Sequence, residues 1–384
     1  MKIIYLTTSM LPEDFEALSA KCNPKPNPSN QNFHRHLISL LAKDHRIDVI
    51  SIRPVAPGMT REKHFPSYTK HNYHYVGFYN SKIRRRISLF HQLRKTIMKI
   101  LELNGLNTLL IVDGLSYLLT RVALEFKKTY RLPILGIYTD NPNNLTGVSQ
   151  KYIKKLEKTY ADIDLYFSIS PALNLYVNPN GKPSLIYEGL SVPLKAINPR
   201  IPEEYGRYFF FAGALLEKYG LRMMIDGFLE SHVKDKLLIA GHGKGADIVL
   251  EANRRNNRVI YLGLLTENEV ANFATHSLAS LNPRPLDSKR DLQSFPSKVL
   301  QYLSMGTPVI STKHPRLYDL FKDEVLWLKD ADATSIKRML QKVSRDPYHY
   351  QVQAKRAQTK TQEIFGIEPT RQKVNNFLNK NVRF

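Results

Sequence analysis

Residues 278–312 read LASLNPRPLDSKRDLQSFPSKVLQYLSMGTPVIST, and the order of apolar and breaker residues in this stretch decides the fold. An apolar run closes at Asn282-Pro283, as a strand does when it feeds a loop. The loop is rich in Asp, Ser, Lys and Arg and leads to Ser294-Phe295-Pro296-Ser297. Val299, Leu300, Tyr302 and Leu303 then recur at helical spacing. Gly306 and Pro308 stop that helix before Val309-Ile310-Ser311 restarts a strand. Ser near the start, Pro in the first turn and Gly just past the end are the punctuation of a helix. Strand, loop, helix, strand is a βαβ unit with a polar loop at the carboxyl end of its strand, where open α/β sheets bind ligands. Lys298 stands beside a helix N-terminus, which itself favours an anion, so the expected ligand is phosphorylated.

The same alternation runs outward in both directions. Lys2 to Thr8 and Ile47 to Ile52 read as strands flanking an amphipathic helix from His34 to Lys43. A polar loop through Cys22-Asn23-Pro24-Lys25-Pro26-Asn27-Pro28 precedes that helix, and residues 53–80 read as irregular. Strands are expected at Leu109–Val112, Pro133–Tyr138, Ile163–Ser168 and Ser184–Glu188, with helices between them. Pro193, Pro199 and Pro202 then interrupt residues 191–205, a stretch without periodicity that reads as a linker. A buried-type strand, Arg207–Ala212, opens the second half, followed by strands at Leu237–Ala240 and Val259–Leu262. Helices carry most of the chain after residue 316. The expected class is α/β, with two doubly wound Rossmann-like domains facing a cleft: residues 1–190, a linker at 191–205, and residues 206–360.

A chain of 384 residues can bury two ordinary cores. A single cysteine, Cys22, excludes an internal disulfide framework and fits a reducing compartment. The opening MKIIYLTTSMLP is too short an apolar run for a signal peptide, and no run approaches the ~18 residues that span a bilayer. A cytoplasmic protein, peripheral on the inner face of the membrane, is expected. The net charge of +22 calls for an anionic partner: nucleic acid, an acidic membrane or phosphorylated small molecules. No zinc-finger, helix-turn-helix or RNP signature is present, which argues against nucleic acid. Residues 82–101 combine Ile83, Ile87, Phe90, Leu93, Ile97 and Ile100 with Lys82, Arg84, Arg85, Arg86, Arg94, Lys95 and Lys99. A basic amphipathic helix of this kind can lie on an anionic membrane, each cation near the surface adding about 1 kcal/mol. It can equally dock on its own sheet with the arginines in water. His34 and His36 read as a solvated helix face.

The 278–312 stretch resembles the donor-site segment of GT-B fold glycosyltransferases, specifically the retaining enzymes of glycosyltransferase family 4. Their pattern is a loop, a Glu, seven residues, a second Glu on the helix and a Gly-x-Pro-Val-Ile turn. Phe295-Pro296-Ser297-Lys298, Tyr302-Leu303 and Gly306-Thr307-Pro308-Val309-Ile310 match it, whereas Gln293 and Gln301 stand at the two acidic positions. The resemblance implies a nucleotide-sugar donor, with a UDP-sugar expected, and a lipid-linked or polysaccharide acceptor. It also implies retention of configuration, in surface polysaccharide or glycoconjugate biosynthesis. Residues 1–190 would be the acceptor side and 206–360 the donor side, with a helix at 361–384 crossing back to the first domain. Lys218 matches a family lysine that contacts the donor diphosphate, while Ala214 stands where the family has an arginine. Gly213 belongs to the same loop. Gly241 opens a Gly-His-Gly-Lys-Gly turn that permits close backbone approach to a phosphate and is equally an ordinary tight turn.

In this reading Lys218 and Lys298, with the amides of Ser297 and Lys298, face the departing diphosphate. Gln301 takes the ribose and Gln293 the sugar. A glutamine still accepts a hydroxyl hydrogen bond, but a neutral one about half as strong as a charge-assisted bond. Thr139 and Asp140 are acceptor-side candidates, Asp140 reading equally as a turn residue. No metal is expected, since neither Asp-x-Asp nor a His/Cys cluster of ligand spacing occurs. The two glutamines, Ala214 and the absence of a Gly pair after the first strand keep a second reading open: a non-catalytic GT-B subunit that partners an active glycosyltransferase at the membrane.

Overall fold

β1 (Lys2–Thr7) is buried from Ile3 onward, and the first sheet grows from it in both directions. The computed structural model describes residues 1–26, 28–145, 147–192, 203–286 and 289–384, without the side chains of residues 28, 29, 289 and 290. The expected linker therefore lies largely outside the described residues. The chain packs as two units, Met1–Leu190 with Thr370–Phe384, and Ser191–Pro369.

In the first unit the remaining strands are β2 (Arg46–Ser51), β3 (His64–Phe65), β4 (Tyr68–Lys70), β5 (Tyr73–Tyr75), β6 (Phe78–Tyr79), β7 (Thr108–Asp113), β8 (Ile134–Tyr138), β9 (Leu165–Ser168) and β10 (Ser184–Ile186). The sheet runs β10-β9-β8-β7-β1-β2-β5-β4, parallel except for β4, and β3 pairs with β6. The chain leaves β1 toward β2, then returns to β7 on the other side of β1, so the winding reverses between β1 and β7. The second unit repeats this plan with β11 (Tyr208–Ala214), β12 (Lys236–His242), β13 (Val259–Gly263), β14 (Ser280–Asn282), β15 (Val309–Ser311) and β16 (Leu326–Trp327). Its order is β13-β12-β11-β14-β15-β16, all parallel, with reversal between β11 and β14. Phe209, Phe211, Met224, Phe228, Leu237, Ile239, Ile336 and Leu340 form the core of its sheet and helices. At about 1.5–3 kcal/mol for each such side chain, their burial opposes the entropy of ordering the chain. Two doubly wound Rossmann-like domains are therefore present.

Several expectations need correction. The stretch before His34 is not all loop. Pro12–Ala20 is a helix that buries Phe15 and Leu18, and the next helix already starts at Pro28. Residues 53–80 contain β3 to β6, strands of two or three residues too short to show a period. His34 is not solvated. It is fully buried, with the Tyr5 hydroxyl 2.7 Å from Nδ1 and Asp113 Oδ2 3.6 Å from Nε2. Burial lowers its pKa, against the pull of Asp113. The expected closing helix 361–384 is the end of Pro347–Phe365 plus a separate helix, Ile367–Asn381. In the latter, Arg371 pairs with Asp44 at 2.7 Å and Phe377 meets Phe167.

The basic helix runs Arg84–Asn104 and turns Leu89, Leu93, Ile97, Ile100 and Leu101 inward. Its second half is thus docked on the sheet. Apolar surface projects at its two ends, with Ile83 77% and Ile87 56% exposed at the start and Leu103 72% near the close. Among the described residues no helix is long and apolar enough to cross a membrane.

Candidate functional site

The loops that leave β11 and β14 flank the reversal point of the second sheet, the place where such sheets bind ligands. They touch there. Gly220 closes the β11 loop at φ +80°, and a Cβ on it would lie 2.5 Å from the Pro283 carbonyl oxygen. No residue with a side chain fits that contact.

The helix Ser297–Ser304 is held against the end of β11 by its buried face, Val299, Leu300, Tyr302 and Leu303. Tyr302 is its anchor: the hydroxyl accepts from the Ala212 amide at 3.1 Å and lies 3.3 Å from the Ala212 carbonyl. Lys298, one turn earlier, donates to that same carbonyl at 2.6 Å. Much of the Lys298 side chain is exposed, but its ammonium is turned inward, and desolvation there lowers its pKa to about 8. Gly213 makes room for it, since a Cβ at that position would lie 3.2 Å from Nζ. Gly213 and Lys298 are therefore brought together as one wall of a site, and among the described residues Lys298 makes no ion pair.

Lys218 is exposed on the β11 loop, with Nζ 5.1 Å from the centre of the Tyr219 ring. Arg284, on the β14 loop, lies over the same ring at 4.8 Å and pairs with Asp291 at 2.6 Å. The sequence reading missed Arg284. It supplies a second cation beside Lys218 although Ala214 has replaced the expected arginine. Its signal was its place directly after Asn282-Pro283.

Gln301 shares a face of the helix with Lys298, three residues on, and is half-buried. Gln293 lies in the turn before the helix, also half-buried. The Ser297 amide corrects one expectation: it donates to the Phe295 carbonyl at 2.9 Å, so it is not available to an anion. The helix starts at Ser297 with Pro296 ahead of it, one step later than the punctuation suggested. His314 was also missed. It is buried beside Phe295, and burial lowers its pKa against the pull of the Asp291 and Ser294 carbonyls.

The Gly241 turn has a structural cause. Gly241 has φ +135°, and a Cβ there would stand 1.8 Å from the Gly213 carbonyl oxygen. Gly243 and Gly245 press likewise on the Leu215 carbonyl. These glycines let β12 close against β11 and so fix the strand end on which Lys298 rests. On the first unit, Asp140 Oδ1 accepts from the Asn141 amide and the Asn144 side chain, which is a turn role. Among the described residues no group of three or more His, Cys, Asp or Glu is arranged to hold a metal.

Residues 196–360 match the family model described as "Glycosyl transferases group 1". The match covers most of the second unit and none of the first. No curated protein matches the sequence. Solved structures of similar fold include Anabaena HepE in complex with UDP and glucose (12% identity over 99% of this chain and all of that one, TM-score 0.70). The lipopolysaccharide outer core galactosyltransferase WaaB in apo form is similar over the full length of both chains (16%, 0.63). So is the pneumococcal O-GlcNAc transferase GtfA in complex with UDP and GlcNAc (10%, 100% and 99% covered, 0.65). At these identities the likeness is one of fold, and the chain has the GT-B fold. The transferase class follows from the group 1 domain. The fold alone does not give it, since a Candida albicans trehalose-6-phosphate phosphatase N-terminal domain is equally similar (10%, 0.66).

Proposed function

We propose that this glycosyltransferase moves a sugar from a UDP-sugar to a lipid-linked or polysaccharide acceptor with retention of configuration. One observation carries the donor reading. At the reversal point of the group 1 domain, the ammonium of Lys298 is sunk against Gly213, with Lys218 and Arg284 gathered on Tyr219 nearby in the loops. Cations fixed in place stabilise the leaving diphosphate without reorganising as its charge develops. Gln301 would hold the ribose and Gln293 the sugar, both by neutral hydrogen bonds. UDP as the nucleotide is taken from HepE and GtfA, whose structures hold it. No metal is invoked. Lys82, Arg84, Arg86, Ile83 and Ile87 at the start of the basic helix would rest on an anionic membrane, making the enzyme peripheral on its cytoplasmic side.

Calorimetric titration of the full chain with UDP and several UDP-sugars tests the donor site, with Lys218→Ala and Arg284→Ala alongside. Micromolar binding that weakens in both variants is expected. Absence of binding by every nucleotide sugar sinks the enzyme reading. It favours the non-catalytic subunit, for which the specific observation is the pair of glutamines at the acidic positions.

A further inference from the structure

The first unit holds a cavity of about 330 Å³ lined by Arg86, Ser116, Tyr117, Leu118, Ser149, Lys151, Tyr152 and Lys155. Ser116 caps the helix Tyr117–Tyr130 after β7, and Ser149 caps the helix Gln150–Glu157 after β8. The cavity therefore opens at the carboxyl edge of the parallel strands. Arg86 reaches it from the first turn of Arg84–Asn104.

The placement of the three cations is unfavourable in the empty protein. Lys151 and Lys155 are four apart on one helix face, where like charges repel. Arg86 and Lys151 stand in the first turns of their helices, where the helix dipole disfavours a cation. Among the described residues none of the three makes an ion pair, although exposed cations elsewhere in the unit do, as Arg94 does with Glu125 at 2.9 Å. An anion in the cavity removes all of these penalties at once. Tyr117 and Tyr152, ring centres 6.3 Å apart and edge to face, form an aromatic side of the same cavity. Tyr152 is locked there, its hydroxyl accepting from the Tyr117 amide and donating to the Leu115 carbonyl. Aromatic faces pack the C–H surface of a sugar or polyol. The volume admits one phosphorylated monosaccharide.

We infer that this cavity binds a phosphate ester carried on a sugar or polyol, with the phosphate on Arg86, Lys151 and Lys155 and the polyol against Tyr117 and Tyr152. That the ester belongs to the acceptor rests on the transferase reading, whereas the binding itself does not.

The test is calorimetric titration of the full chain with glucose 6-phosphate, in saturating UDP so that the donor site is filled, and with glucose as the uncharged control. The Arg86→Gln, Lys151→Gln, Lys155→Gln triple variant is expected to bind at least about tenfold more weakly, as loss of three exposed charge contacts implies. Its melting temperature should equal or exceed that of the wild type, because repulsion has been removed. A Lys95→Gln, Lys99→Gln, Lys128→Gln variant, with the same charge loss elsewhere on the surface, should bind as the wild type does. No wild-type binding, equal loss in both variants, or a melting temperature lowered in the first variant overturns the inference. UDP affinity measured on each variant separates this outcome from failure of the donor site. Phosphatidylglycerol vesicles that displace glucose 6-phosphate assign the ester to a lipid headgroup; vesicles that do not displace it assign it to a soluble or glycan-borne ester.

Discussion

Replacing Lys298 by Met tests the donor site at its most constrained point. The ammonium donates to the Ala212 carbonyl at 2.6 Å, and desolvation has brought its pKa to about 8. A hydrogen bond to a charged group contributes about 1.5–3 kcal/mol, so Lys298→Met should weaken UDP binding about 10- to 100-fold. The same quantity fixes the pH dependence. Only the protonated amine attracts the diphosphate, so bound UDP raises the pKa of Lys298. Linkage equates that rise with the affinity gained, which places the bound pKa about one to two pH units above the free one. Wild-type affinity should thus be level near pH 7, fall as pH rises from about 8 to about 9–10, and level again after a total loss of about 10- to 100-fold. The variant should be flat across this window. Titrations at pH 7, 8, 9 and 10 and constant ionic strength read both curves. Melting temperatures taken alongside verify that Met, which keeps the apolar stem, has left the fold in place. A wild-type affinity constant over that range, or a variant that falls in parallel, refutes the reasoning.

Four further outcomes are expected. Gln301→Glu restores a charge-assisted bond to a ribose hydroxyl and should tighten UDP by about fivefold, a gain near 1 kcal/mol, in the same titration. Arg284→Ala removes the cation stacked on Tyr219 and should weaken UDP by about three- to tenfold, additively with Lys218→Ala only if the two cations act independently. Gly241→Ala forces a Cβ to within 1.8 Å of the Gly213 carbonyl and should cost at least about 2 kcal/mol; a melting temperature unchanged to within a degree would contradict the packing account. Ile83→Ser with Ile87→Ser should reduce sedimentation with phosphatidylglycerol vesicles severalfold while leaving the melting temperature unchanged, since both side chains already lie in solvent.

The helix Ser297–Ser304 and its flanking strands were legible because every signal that makes them is local: an apolar period, a proline before and a glycine after. The two sheets followed for the same reason, and β3 to β6 did not, because two or three residues hold no period. His34 shows where local reading stops short. It stands three and seven residues before Leu37 and Leu41, both buried, so its spacing placed it on the inward face. What spacing could not supply was Tyr5, the partner that makes burying an imidazole tolerable, and Asp113, which lies across the sheet.

The candidate site divides along the same line. Lys298 was found from its position at a helix start, but the strand end it rests against, Ala212 and Gly213, lies more than eighty residues earlier in the chain, and it is desolvation there that lowers its pKa. Arg284 lay in plain sight in the organising stretch, marked only by its place directly after Asn282-Pro283, because its ring partner, Tyr219, is remote in sequence. The glycine turn read both as a phosphate cradle and as an ordinary tight turn, and the close approach of the Gly213 carbonyl by itself requires glycine at Gly241. In each case the chemistry depends on β11 and its neighbours meeting at the reversal point. A parallel sheet brings these residues together across long connections. Sequence spacing therefore names the residues of such a site more readily than it names their partners, and it is the partners that set charge, burial and reach.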